Sequence, residues 1–273
     1  MAAKNNEVAA YDRIGWMYER GLGVKQDYQT ALTYYQKALE NGSAEAYASL
    51  GRMYAGGLGV EKDYKLAEEY YRKAAEVGSL EAFVNLGYQY ENGIGVPQDY
   101  GKALDYYLAA ADQGDSSVYL SIANLYENGL GVEKDGKKAL EYYEKAAENG
   151  VSAAYDSLGW TYESGQNGVN RDYVKAMEYY RKGAELGSTQ SYLSMGYLYQ
   201  NGLGVGRDYT KAMDCYVKAA DLGDSSAYEL IGWLYEKGLG VPANRTTAAY
   251  WYELGVKAGS SWAQERLDAI RSK

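Results

Sequence analysis

Apolar and small residues recur along the chain at i, i+3, i+4 and i+7 in short blocks, and each block ends at glycine. Two such blocks make a unit. In the second unit Ala46, Tyr47, Leu50, Gly51 and Tyr54 mark one face of a helix whose expected N-cap is Ser43, and Gly57-Leu58-Gly59 stops it with backbone freedom. Val60 is placed to plug the core beneath this connector. Asp63 then caps a second helix, with Ala67, Tyr70, Tyr71, Ala74 and Ala75 as its apolar stripe and Gly78 at its end. The small Gly51 and Ala67 allow the two helices to approach closely.

The pattern has a fixed period. Ile14-Gly15, Leu50-Gly51, Leu86-Gly87, Ile122-Ala123 and Leu158-Gly159 stand 36 residues apart; Met195-Gly196 follows after 37, and Ile231-Gly232 and Leu267-Asp268 after 36 each. The one extra residue lies in Gly165-Gln166-Asn167-Gly168. Units therefore run over about 6–42, 43–78, 79–114, 115–150, 151–187, 188–223 and 224–259, with a closing helix at about 260–271, and residues 1–273 are expected to form a single solenoid domain. Hairpins that each bury a stripe against the next cannot close on one compact core. The pattern thus predicts an all-α fold, a right-handed α-α superhelical solenoid of seven helical hairpins plus a C-terminal capping helix. In that last helix Gln264 and Arg271 replace tyrosines, as expected where the final face meets water.

The tyrosines test the repeat. Of 33, six stand four residues before the marker glycine, seven stand three after it, five follow the Asp cap, and thirteen fill a Tyr-Tyr site running from Tyr34 and Tyr35 to Tyr250 and Tyr252. Phe83 and the single cysteine, Cys215, occupy tyrosine slots and read as core. Tyr88 and Tyr197 fall outside these slots and share another.

Composition removes much chemistry. Without histidine there is no imidazole base, no Ser-His or Cys-His pair and no His metal ligand, and one cysteine excludes an internal disulfide or a thiolate cluster. A net charge of −9 argues against a surface that tracks phosphates. The N-terminus lacks the apolar core of a secretory signal and no stretch is apolar enough for a membrane span, so the chain reads as cytoplasmic, with neither nucleic acid nor membrane as partner. The Gly-x-Gly connectors join helix to helix and lack the following Lys-Ser/Thr, so they read as turns and not as phosphate loops. No cofactor and no metal are expected.

Ala46 to Tyr54 (Ala-x-x-x-Leu-Gly-x-x-Tyr), Gly57 to Asp63 (Gly-x-Gly-Val-x-x-Asp) and Lys138 to Ala147 (Lys-Ala-x-x-Tyr-Tyr-x-Lys-Ala-Ala) resemble the Sel-1-like repeat family, a relative of tetratricopeptide repeats with a longer unit and a glycine-rich connector. The resemblance covers all seven units. It implies a non-enzymatic adaptor or scaffold for protein complexes. Some cysteine-rich bacterial members are connected with β-lactam binding or hydrolysis, and this chain departs from them in having one cysteine and no Ser-x-x-Lys.

Slots fixed in every unit serve the fold, and slots that vary are released from it. With the marker glycine as position 8 of each first helix, positions 4, 7, 8 and 11 share one face and positions 5, 9 and 12 lie roughly opposite, with position 2 beside them. By analogy with tetratricopeptide solenoids, that opposite face lines a concave groove. Position 9 reads Trp16, Arg52, Tyr88, Asn124, Trp160, Tyr197 and Trp233; position 5 supplies Asp12, Asp156 and Glu229; position 12 supplies Glu19, Glu91, Glu127, Glu163 and Glu236. Indole and phenol rings dominate interface hot spots, and carboxylates beside them select Lys or Arg. These fifteen residues are the expected binding surface for a protein or peptide with basic and apolar side chains. Two alternatives stay open: the rings pack between neighbouring first helices, and the glutamates are solvated-face residues. An inhibitor or immunity-type protein that wraps an enzyme or toxin fits the same surface, and a β-lactam-directed enzyme is the remaining reading.

Overall fold

The computed structural model describes residues 2–272, with side chains from residue 9 onward. Among the described residues there are fifteen α-helices and no strand. The chain divides into two compact units, Met1–Lys134 and Asp135–Lys273. The first holds α1 (Ala2–Arg20), α2 (Tyr28–Glu40), α3 (Glu45–Gly56), α4 (Tyr64–Glu76), α5 (Leu80–Asn92), α6 (Tyr100–Asp112) and α7 (Tyr119–Asn128), the last preceded by a 3-10 turn at Ser116–Val118. The second holds α8 (Gly136–Glu148), α9 (Ser152–Ser164), α10 (Tyr173–Glu185), α11 (Thr189–Asn201), α12 (Tyr209–Asp221), α13 (Ser226–Lys237), α14 (Arg245–Lys257) and α15 (Ser261–Arg271). Within each unit, helices pair as hairpins, such as α1 with α2 and α9 with α10, and each second helix packs on the next first helix. This is an α-solenoid, with three hairpins and α7 in the first unit and α8, three hairpins and a final helix in the second.

Local chemistry sets the helix ends. Asp63 Oδ1 accepts from the backbone N–H of Lys65 and Leu66 at 3.0 and 2.9 Å, and Asp27, Asp99, Asp135, Asp172, Asp208 and Asn244 do the same for their own second helices. Ser43 Oγ accepts from the Ala46 N–H at 3.2 Å. Gly57 ends α3 at φ 67°, and the next connector glycine, Gly59 at φ 69°, rests on the preceding hairpin: a Cβ there would lie 2.7 Å from the Tyr28 carbonyl carbon.

The hairpin core is a tyrosine laid on a glycine. Tyr35, Tyr71, Tyr107, Tyr143, Tyr180, Tyr216 and Tyr252, the second member of each Tyr-Tyr site, are buried. A Cβ on Gly51 would meet the Tyr71 ring at 2.7 Å, so the marker position is small in order to seat the ring. The first member stacks on the tyrosine three residues past the marker: Tyr54 and Tyr70 lie 5.6 Å apart at 10°, Tyr162 and Tyr179 5.6 Å apart at 15°. In the seventh hairpin Trp251 is the first member and lies 5.9 Å from Tyr228, the tyrosine four before the marker, at 33°, and Tyr250, assigned to the pair from the sequence, is exposed. Cys215 is buried in its tyrosine slot, while Gln264 and Arg271 on α15 are exposed. No helix among the described residues is long and apolar enough to cross a membrane.

Candidate functional site

Trp16 on α1, Tyr88 on α5, Trp160 on α9 and Tyr197 on α11 are 44, 54, 54 and 47% exposed. These rings are neither hairpin core nor hidden between neighbouring first helices. Trp233 on α13 differs: it is half-buried and leans on the apolar cluster of Met213, Tyr216, Ile231 and Leu234. Arg52 and Asn124 interrupt the row. Asn124 is exposed on α7, and Arg52 is a clamp: its Nε donates to Glu19 Oε1 at 2.9 Å, its Nη2 to Glu19 Oε2 at 2.8 Å, and its Nη1 to Glu81 on α5.

The position-12 carboxylates face their own hairpins. Glu19, only 4% exposed, accepts from the Tyr35 hydroxyl at 2.7 Å, Glu91 from Tyr107 at 2.6 Å, Glu163 from Tyr180 at 2.7 Å and Glu236 from Tyr252 at 2.9 Å. Gln200 takes the same place for Tyr216 at 3.2 Å. Burial alone would raise the Glu19 carboxyl, but the hydrogen bonds from Arg52 and Tyr35 outweigh it and hold the group below its ordinary range. Glu236 is held down in the same way by Arg266 and Tyr252. Glu127 is half-buried on α7.

Two of the three position-5 carboxylates latch one repeat to the next. Asp12 Oδ2 accepts from the Ser43 hydroxyl at 2.5 Å. Asp156 accepts from Ser188 at 2.7 and 2.8 Å and from Ser191, which is buried in space left by Gly183. Glu229 is half-buried on α13.

Rings and latches together shape two matching clefts. One, of about 410 Å³, lies between α1 and α3 and is lined by Asp12, Arg13, Trp16, Tyr35, Glu45 and Ser49. The other, of about 290 Å³, lies between α9 and α11 and is lined by Asp156, Ser157, Trp160, Tyr180, Gln190 and Ser194. Position for position these are one niche: an exposed indole wall, a buried phenol floor, an aspartate, and residues 2 and 6 of the following first helix. Arg52 and Tyr88 line a third cleft of about 330 Å³ with Tyr71 as floor. Helical phase places position 2, where Glu45 and Gln190 stand, beside this face without singling out either residue, and Ser49 and Ser194 were missed; the small polar residue two before the marker, seen at Ser49, Asn85, Ser121, Ser157 and Ser194, was the available signal. Among the described residues, no three Asp, Glu or Cys side chains gather as a metal site would require.

The model of the Sel1 repeat matches residues 8–43, 44–79, 81–115, 118–151, 152–188, 189–224 and 225–260. No curated protein sequence matches the chain. Among solved structures, the chain is similar to a protective antigen of uropathogenic Escherichia coli strains that displays an SLR fold, at 33% identity and a TM-score of 0.87, over 98% of this chain and 58% of that one. It thus spans a little over half the length of that antigen. It is also similar to a Sel1 repeat protein from Oxalobacter formigenes, at 31% identity and a TM-score of 0.80, over 96% of this chain and 76% of that one.

Proposed function

Because the chain belongs to the Sel1 repeat family, whose members mediate protein–protein interaction, we propose that it is a non-enzymatic cytoplasmic scaffold that binds a partner protein or peptide on the position-9 face of its first helices. One observation carries the reading: Trp16, Tyr88, Trp160 and Tyr197 stay exposed in a chain that otherwise uses its tyrosines as packing. Large rings left in water cost solubility and gain nothing for the fold, whereas a partner that covers them gains large contact area at small entropic cost. Arg52, Glu19 and Glu236 support this face from behind by fixing the helices that present the rings.

The test is capture of a partner by the immobilised chain, compared with Trp16→Ala, Trp160→Ala and, as an exposed ring away from this face, Tyr250→Ala. The first two should each weaken capture by about 2 kcal/mol, roughly thirty-fold, with helicity unchanged, and the third should not. Undiminished capture by both tryptophan variants would refute the reading. Scaffold and inhibitor share this surface, and an activity assay on the captured partner separates them. Turnover of a β-lactam by the pure chain would overturn both.

A further inference from the structure

Resting on that reading, we propose that the α1/α3 cleft receives the cationic end of a Lys or Arg side chain from the partner, and that its α9/α11 counterpart does not. The two niches are lined from matching positions and carry the same formal net charge, Asp12 and Glu45 against Arg13 in one and Asp156 alone in the other, but they differ in how that charge is held. In the α9/α11 cleft both Asp156 oxygens are taken by Ser188 and Ser191, and position 2 of the following helix is the neutral Gln190. In the α1/α3 cleft Asp12 spends one oxygen on Ser43, its Oδ1 is shut away from water with no hydrogen-bond partner, and position 2 is Glu45.

A carboxylate oxygen screened by neither water nor a donor leaves its charge acting on whatever enters beside it. The Trp16 indole, 44% exposed on the same wall, offers the face over which an ammonium or guanidinium is held. The one opposing charge on the lining is Arg13, which makes no ion pair among the described residues, so two carboxylates face one guanidinium. Burial, partly offset by the Ser43 hydrogen bond and reinforced by Glu45, raises the Asp12 carboxyl above its ordinary range, as an uncompensated negative site requires. The other carboxylates of this face with hydrogen bonds described above are committed to tyrosines or serines, which places the cation preference at this junction.

The experiment uses the full chain and two small probes, N-acetyl-lysine methylamide and its neutral counterpart N-acetyl-norleucine methylamide. The indole N–H resonances of Trp16 and Trp160, assigned with Trp16→Phe and Trp160→Phe, report binding. The lysine probe should shift Trp16 saturably and at least about five-fold more tightly than the norleucine probe, while Trp160 should not distinguish them. Glu45→Gln, which installs at α3 the amide that α11 already carries, should weaken the lysine probe about five-fold, and Arg13→Gln should tighten it. Equal response of Trp16 to both probes, or indifference to Glu45→Gln, overturns the proposal while leaving the rings as a binding surface. If neither probe moves either ring, this proposal and the binding surface beneath it both fall.

Discussion

Gly136 has no side chain because Asn167 stands where one would go: a Cβ at Gly136 would lie 2.5 Å from the Asn167 Cα. Five other second helices, α2, α4, α6, α10 and α12, begin with tyrosine and receive a connector glycine on their backbone, as Tyr28 receives Gly59. The lengthened fifth connector brings Asn167, at φ 54°, instead, and the missing side chain is transferred to the helix beneath it. Gly136→Ala should therefore destabilise the chain by about 1–3 kcal/mol through overpacking, although helix propensity alone favours alanine. Urea denaturation checks it; a stabilised variant would show that the connector moves aside.

The buried phenols make alkaline pH the chain's weakness. Burial first, and then hydrogen bonds to Glu19, Glu91, Glu163 and Glu236 at four of them, raise Tyr35, Tyr71, Tyr107, Tyr180, Tyr216 and Tyr252 above the ordinary tyrosine range. In the unfolded chain these groups lose protons near pH ~10, while in the folded chain they keep them. Their stabilisation is complete below pH ~10 and drains above it, by about 1.4 kcal/mol per pH unit for each tyrosine. Unfolding free energy should be flat from neutral pH to about 8, decline by the single proton of the buried Cys215 thiol from pH ~8.5 and fall steeply above pH ~10, and Tyr180→Phe should lower that steep slope by one proton.

Removing Arg52 strands Glu19. The guanidinium is the cation paired with a carboxylate that is 4% exposed, and the remaining bond to Tyr35 leaves its charge uncompensated. Arg52→Ala should cost about 2–4 kcal/mol in thermal or chemical unfolding, whereas Glu81→Gln, at the exposed end of the same guanidinium, should cost under about 1 kcal/mol. Arg52→Ala with Glu19→Gln should recover much of the loss, since no buried charge then remains.

Cys215 is a core thiol. Burial first, with Asp214 adding to it, pushes its pKa up to about 11. At pH 8 a disulfide reagent should label the native chain about a hundred-fold more slowly than the chain in urea, where one thiol reacts. Fast native labelling would mean that α12 opens locally.

Period, caps and the tyrosine slots were legible because each is written several times at one spacing, and the outward direction of Trp16 and Trp160 followed from helical phase alone, whereas the seating of a tyrosine ring on the marker glycine shows only in the structure. The roles of Glu19, Glu91, Glu163 and Glu236 were not. Phase gives the direction in which a side chain leaves its own helix, but not which long side chain reaches it from the next, and a tyrosine hydroxyl lies far enough from its backbone to cross between helices. The Asp156–Ser188–Ser191 latch was hidden for the same reason, with Gly183 as its one trace in the sequence. Trp233 shows the limit of phase itself, since a ring that leaves its helix outward can still fold down onto a neighbouring cluster.

The aspartate latches also grade the solenoid mechanically. Asp12 and Asp156 tie their repeats to the next by short directional bonds, whereas Leu193 stands in the same slot of α11 and offers only contact. Directional bonds rupture within a fraction of an ångström, and apolar surfaces slide before they part. Drawn from its ends in a single-molecule trap, the chain should not unravel as seven equal springs: the seam after α12 should yield at lower force than the seam after α10, giving a staircase whose step order is set by which repeats carry an acid.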